Sequence, residues 1–278
     1  MKKLTAAEIE EAVSRYQSGL SLMDVARMFG VSAPAIGGLL ARRGIARRTL
    51  SESKRTLACN HAYFSEPLDE ERAYWIGFIL ADGAIIEKSY GVTASVAVAL
   101  KAEDKGHLQK LKSALQSEHK IVNTKGTKGH LGVRLAISST ELSESLKKFN
   151  VLPRKSNQQI MTDLIPPPLL SHYFRGYFDG NGCIARHSRS RWIVSTVSSE
   201  LFLSCFLDWI AGKLGGNRPK ITFSDGIHRI AWAGTHRCKE ILDLLYKDAT
   251  MFLDRKKKLY DEVCMDSYSS HRGPYNRK

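Results

Sequence analysis

Trp75 to Gly83 reads WIGFILADG, and its meaning comes from a second stretch of the same design, FRGYFDGNG at Phe174 to Gly182. In each, a small residue recurs four positions apart, Gly77 with Ala81 and Gly176 with Gly180, so on a helix both fall on one face. That face is nearly bare backbone. Two such faces let a pair of helices approach more closely than Leu-lined helices can. Gly83 and Gly182 are expected to stop the helices as C-caps in the left-handed conformation. Just inside each stop sits a polar residue, Asp82 in the first stretch and Asn181 in the second. A carboxylate there meets the negative end of the helix macrodipole, a placement unfavourable by ~0.3–1 kcal/mol unless a cation relieves it. The pattern invites a divalent metal at the foot of a two-helix seam.

The paired stretches resemble the signatures of the LAGLIDADG homing endonucleases, of the single-chain, two-motif type. Gly176 lies 99 positions after Gly77, about the size of one αββαββα repeat in that family. A second echo keeps the same register. Leu152-Pro153-Arg154-Lys155-Ser156 closes the first repeat and Leu253-Asp254-Arg255-Lys256-Lys257 the second, Arg154 following Asp82 by 72 positions and Arg255 following Asn181 by 74. The resemblance covers residues 69–263. It implies an α+β fold in which two pseudo-symmetric αββαββα repeats pack through the signature helices, and their strands form a concave saddle for DNA. Gly77, Ala81, Gly176 and Gly180 would be the helix interface. It implies that Asp82 with the Ala81 carbonyl, and Asn181 with that of Gly180, bind Mg2+ (or Mn2+). Asp82, Asn181, Lys155 and Lys256 become the catalytic set, the lysines polarising an attacking water or stabilising charge. The alternative for Lys155 and Lys256 is a surface salt bridge at a repeat end.

Composition agrees with a polyanionic partner. The chain has 278 residues, room for about two domains, and 42 Lys and Arg against 28 Asp and Glu give a net charge of +14. No run of about 18 apolar residues suggests a membrane span, and MKKLTAAEIEEAVSRY lacks the apolar core of a signal peptide. A cytoplasmic, nucleoid-associated protein is expected, with an organelle or phage origin left open. The five cysteines are odd in number and scattered with no C-x-x-C pair, which reads as reduced thiols and neither zinc ligands nor a disulfide frame.

Three helices precede the repeats. Thr5 and Glu8 form a capping box for a helix over 5–17, Ser21 caps a second from Leu22 to Phe29, and Ala33 to Arg43 makes a third. Ala26, then Gly30-Val31-Ser32, then Ile36 resembles the helix-turn-helix of DNA invertases, resolvases and transposases, whose third helix enters the major groove. The alternative is a small trihelical interaction module. Arg42, Arg43, Arg47 and Arg48 suit phosphate contacts and minor-groove entry, and Ser32 is an exposed candidate for base contact. Gly37 and Gly38 cost that helix roughly 1 kcal/mol each relative to Ala, which counts against its regularity.

Residues 1–48 are thus expected as a helix-turn-helix domain, 49–68 as a polar linker, 69–160 and 161–265 as the two repeats, and 266–278 as a disordered tail. Within the repeats, hairpins are expected around Tyr90-Gly91 and Asp225-Gly226. The loop Lys125-Gly126-Thr127-Lys128-Gly129-His130 lacks P-loop spacing and reads as a basic hairpin tip. Arg186, Arg189 and Arg191 cluster at another tip. With Arg134 and Arg229 on other strands, they complete the residues expected to contact DNA.

Asn181 is the departure from the family pattern. An amide oxygen can coordinate a hard cation but brings no charge. Asp179, two positions earlier and roughly 200° around the helix, cannot take its place. The reading is a metal-dependent endonuclease of homing type, serving intron or intein mobility as a monomeric pseudo-dimer on a long asymmetric duplex site. Asn181 leaves open nicking of one strand. Other readings are a catalytically weak or inactive LAGLIDADG-derived DNA-binding regulator, and an RNA maturase.

Overall fold

A computed structural model describes residues 4–48, 57–88, 93–126, 129–155, 158–188 and 191–269. The Tyr90-Gly91 turn, Arg189, residues 49–56 of the expected linker and the tail beyond 269 lie outside these. Two compact units divide the chain, Met1–Thr56 and Leu57–Lys278.

The first unit holds α1 (Ala6–Gln17), α2 (Leu22–Phe29) and α3 (Ala33–Arg42). Thr5 and Glu8 close the capping box in both directions, and Ser21 caps α2 through the Asp24 N–H. Val13 and Tyr16 from α1, Val25 and Phe29 from α2, and Ile36, Leu39 and Leu40 from α3 form a core of their own. The cost of its two glycines does not break α3. The helix runs unbroken through Gly37 and Gly38, and the Arg47 side chain lies across Gly37, 3.3 Å from where a Cβ would be.

In the second unit, one repeat comprises α4 (Glu70–Asp82), β1 (Gly83–Lys88), β2 (Thr93–Lys101), α5 (Lys105–Ala114), β3 (Val122–Lys125), β4 (Leu131–Ser138) and α6 (Thr140–Lys148). The other comprises α7 (Leu170–Asn181), β5 (Gly182–Ser188), β6 (Arg191–Ser198), α8 (Glu200–Leu214), β7 (Thr222–Ser224), β8 (Ile227–Ala233) and α9 (Thr235–Tyr246), followed by α10 (Asp254–Ser269). Each repeat builds one antiparallel sheet of the same topology, β1-β2-β4-β3 and β5-β6-β8-β7. Alternation assigns the faces: Val133, Leu135 and Ile137 of β4 point into the core, as do Trp192 and Val194 of β6.

The two signature helices are the spine. Residues 73–80 of α4 and 173–179 of α7 are buried without interruption, as expected of helices enclosed on all sides. They touch backbone to backbone: a Cβ on Gly77 would stand 2.0 Å from Tyr173 O, and one on Gly176 1.9 Å from Tyr74 O. No side chain fits either position.

Three expectations are corrected. Gly83 and Gly182 are not left-handed caps; both are extended (φ −82° and −87°), because each begins a strand directly at the helix end. Glycine is needed there for space, since a Cβ would lie 2.4 Å from Ile79 Cγ2 at Gly83 and 2.3 Å from the Phe178 ring at Gly182. The expected linker is packed structure from Leu57 onward, with Tyr63 and Phe64 in the main core and Asn60 N donating to Leu115 O. The expected tail begins too early, for α10 continues to Ser269 and Asp266 accepts from Trp192 Nε1. All five cysteines are free thiols.

Candidate functional site

Asp82 ends α4, Asn181 ends α7, and each is followed at once by the first strand of its sheet. The two helix ends meet. A Cβ on Gly180 would lie 2.4 Å from Ala81 Cβ and 3.2 Å from Asp82 Cγ, so the missing side chain is what lets the Asp82 carboxyl lie against α7.

Asp82 is open to solvent at its tip. Among the described residues its carboxylate accepts no hydrogen bond and forms no ion pair. Protein nevertheless hems in its other sides, and that desolvation raises the carboxyl above the usual carboxylate range against the pull of Lys256, Lys155 and Arg255. Asp82 is thus an unpaired carboxylate within the electrostatic reach of three cations, Lys256, Lys155 and Arg255.

The two lysines are not surface salt bridges. Lys155 is 9% exposed and Lys256 2%. Each donates to the carbonyl of the glycine that begins the strand after its signature helix: Lys155 Nζ to Gly83 O at 2.5 Å, and Lys256 Nζ to Gly182 O at 2.6 Å. Lys256 also donates to Asp179 O at 2.8 Å and to Phe178 O, so all three ammonium hydrogens are used. It thereby caps the carbonyl end of α7, where a cation is favoured by the macrodipole. Burial pushes both ammonium groups down to about 8, with Asp82 opposing the shift at Lys155 and Asp179 chiefly opposing it at Lys256. Arg255 is held by Asp104 of the first repeat, its Nε 3.0 and 3.2 Å from the two carboxylate oxygens.

Asn181 is tethered where Asp82 is free. Its Nδ2 donates to Tyr177 Oη at 2.9 Å. Tyr177 is not among the expected site residues, although its position four residues before Asn181 on a helix is a legible signal.

The residues expected to meet DNA fall into two groups. Arg134 and Arg229 occupy equivalent register positions, each opposite the first residue of the edge strand, Val122 and Thr222 respectively. Both alternate with core residues and so lie on the faces turned away from the core. Arg191 shares that alternation on β6, opposite in sense to buried Trp192. Arg186 is on the other face: it pairs in register with Trp192, lies over its ring and donates to Asp266 at 2.7 Å. In the first unit, Arg43 pairs with Glu10 at 2.6 Å. Arg48 stacks on Tyr16 and donates to Gly19 O at 2.9 Å and to Leu20 O, which makes it an internal strut. Arg42, Arg47 and Ser32 remain exposed.

Among the described residues no group of three or more His, Cys, Asp or Glu side chains is placed to hold a metal ion. One free carboxylate with neutral oxygens nearby is a sparse, hard donor set. It fits Mg2+, which keeps several waters and takes one or two carboxylates plus substrate phosphate oxygens. No helix among the described residues is long and apolar enough to cross a membrane.

No protein-family model matches the sequence, and no curated protein matches it. Solved structures do match. The I-LtrWI LAGLIDADG homing endonuclease bound to target DNA is 11% identical, with a TM-score of 0.51 over 73% of this chain and 92% of its own. I-GzeII, a LAGLIDADG homing endonuclease in complex with its DNA target, is 11% identical with a TM-score of 0.52 over 74% and 94%. The meganuclease I-SmaMI, bound to uncleaveable DNA, is 12% identical with a TM-score of 0.51 over 72% and 91%. The fold is that of the LAGLIDADG homing endonucleases. This protein carries it as two complete αββαββα repeats in one chain.

Proposed function

We propose that this protein is a DNA endonuclease of homing type, hydrolysing phosphodiester bonds with Mg2+ or Mn2+ at the meeting point of its two signature helices. The observation that carries this reading is the Asp82 carboxylate, unpaired and open to solvent where α4 meets α7. Asp82 and Asn181, with the carbonyls of Ala81 and Gly180, are the oxygens that would hold the metal. A bound metal supplies Lewis acidity and a lowered pKa for water. The chain's own part is to place that carboxylate, to surround it with the charges of Lys155, Lys256 and Arg255, and to keep it free of internal partners.

The partner proposed is a long, asymmetric duplex, bound by one monomer whose unlike halves act as a pseudo-dimer. Arg134, Arg191 and Arg229 lie on the outward sheet faces and suit phosphate contact. The DNA complexes of I-LtrWI and I-GzeII support DNA as the ligand of this fold. The first unit is proposed as a helix-turn-helix that contacts DNA through Ser32, Arg42 and Arg47, raising the effective concentration of the second near its site. Such an enzyme works inside a cell, on the nucleoid, in the mobility of an intron or intein.

Asn181 favours a second outcome, nicking of one strand, because the half-site it serves has one negative charge fewer for the metal. Supercoiled plasmid carrying a selected binding site, incubated with and without Mg2+, separates the readings. Linear product marks double-strand cleavage and relaxed circles mark nicking, both lost in Asp82→Ala. Shifted but intact DNA at every metal concentration would overturn the endonuclease in favour of a binding protein.

A further inference from the structure

The tether on Asn181 is directional. Tyr177 has a single hydroxyl hydrogen, and it is directed to Ser198 Oγ at 2.6 Å, with Val197 O at 3.2 Å. Toward Asn181 the phenol therefore presents only lone pairs, and a lone pair selects the NH2 end of the amide, which donates from 2.9 Å. That choice leaves Oδ1, the end of the amide able to coordinate a cation, turned away from Tyr177.

The first repeat provides an internal comparison. By the 99-position offset that relates Gly77 to Gly176, Tyr177 corresponds to Phe78 and Asn181 to Asp82. A carboxylate has two equivalent oxygens and needs nothing to choose between them, and there the ring has no hydroxyl. An amide has one oxygen and one nitrogen, and there the ring has gained one.

We propose that Tyr177 is a positioning residue, which orients the Asn181 amide so that its oxygen, and not its NH2 group, faces the cation held with Asp82. The inference rests on the proposed role of Asp82 and Asn181 as metal-holding residues. It adds that the second half-site retains a working, neutral oxygen ligand.

Calorimetric titration of the full chain with Mn2+ tests it, comparing wild type with Asp82→Ala, Tyr177→Phe, Asn181→Asp and the double variant Tyr177→Phe/Asn181→Asp. Losing one orienting hydrogen bond should weaken Mn2+ binding in Tyr177→Phe about fivefold. Asn181→Asp should bind more tightly than wild type, and the double variant should equal Asn181→Asp, because a carboxylate needs no orienting. Unchanged affinity in Tyr177→Phe would overturn the proposal. So would an equal loss on adding Tyr177→Phe to Asn181→Asp, which would mark Tyr177 as mere support for the strand bearing Ser198. Mn2+ binding untouched by Asp82→Ala would instead overturn the metal site itself, and the orienting role with it.

Discussion

Tyr74 of the first signature helix donates its hydroxyl to Asp179 of the second at 2.7 Å, across the seam between the repeats. Asp179 is wholly buried and also accepts from Tyr246 Oη at 2.5 Å and from Leu253 N at 2.7 Å. The corresponding residue of the first repeat, by the 99-position offset, is the buried Leu80. Burial raises the Asp179 carboxyl, with Lys256 and these hydrogen bonds opposing. The second half thus has a polar joint where the first has grease, and that joint fixes the segment leading to Lys256.

Asp179→Leu should therefore not restore symmetry at no cost. It removes the acceptor of two buried hydroxyl hydrogens and one N–H, a loss on the order of 3 kcal/mol. Urea denaturation of the full chain measures it, and a change under about 0.5 kcal/mol would show that the joint is not stabilising.

Acid should loosen the same region through His107. With the Tyr74 hydrogen committed to Asp179, His107 Nε2 is the donor to Tyr74 Oη at 3.0 Å. Burial first, then the charges of Lys110, Arg255 and Lys256, push the ring down to about 3. The unfolded chain takes up this proton near pH 6.5 and the folded chain does not, so the stability is whole above 6.5 and drains away as pH falls toward 3. Between pH 6.5 and 5 the wild type should lose ~2 kcal/mol more than His107→Gln. Parallel curves for the two proteins would refute the assignment.

Gly77→Ala and Gly176→Ala should each be severe, because the clashing atoms are backbone carbonyls that cannot rotate aside. Overpacking of this kind costs on the order of 3 kcal/mol. Gly106→Ala, with open space around its Cβ position, is the control. Thermal melts should show the first two far below the third.

Removing residues 1–56 should leave a folded second unit, since each unit has its own core. Loss of the tether should weaken DNA binding about a hundredfold and shorten the protected footprint. A footprint of unchanged length would mean that the three-helix unit does not contact DNA.

Much of this was legible in the sequence, for reasons that are local. Helix periodicity, the Thr5-Glu8 box, the Ser21 cap and the small-residue faces of α4 and α7 depend on residues three or four positions apart. The repeat offset carried the strand order of the first half onto the second. Gly83 and Gly182 misled because a helix-ending glycine looks the same whether it is needed for a left-handed turn or for space against a side chain.

The sequence by itself determined two signature helices with bare faces, an αββαββα order repeated once, and a carboxylate and an amide at matching helix ends. Only the tertiary structure decided which charges are spent. Lys256 reaches carbonyls 74 to 78 positions away, Arg255 reaches Asp104, Arg48 folds back onto Tyr16, and Arg186 turns to Asp266, while Asp82 is left free. These partners are distant along the chain. They are chosen by how the elements pack, and no periodicity or motif spacing encodes them.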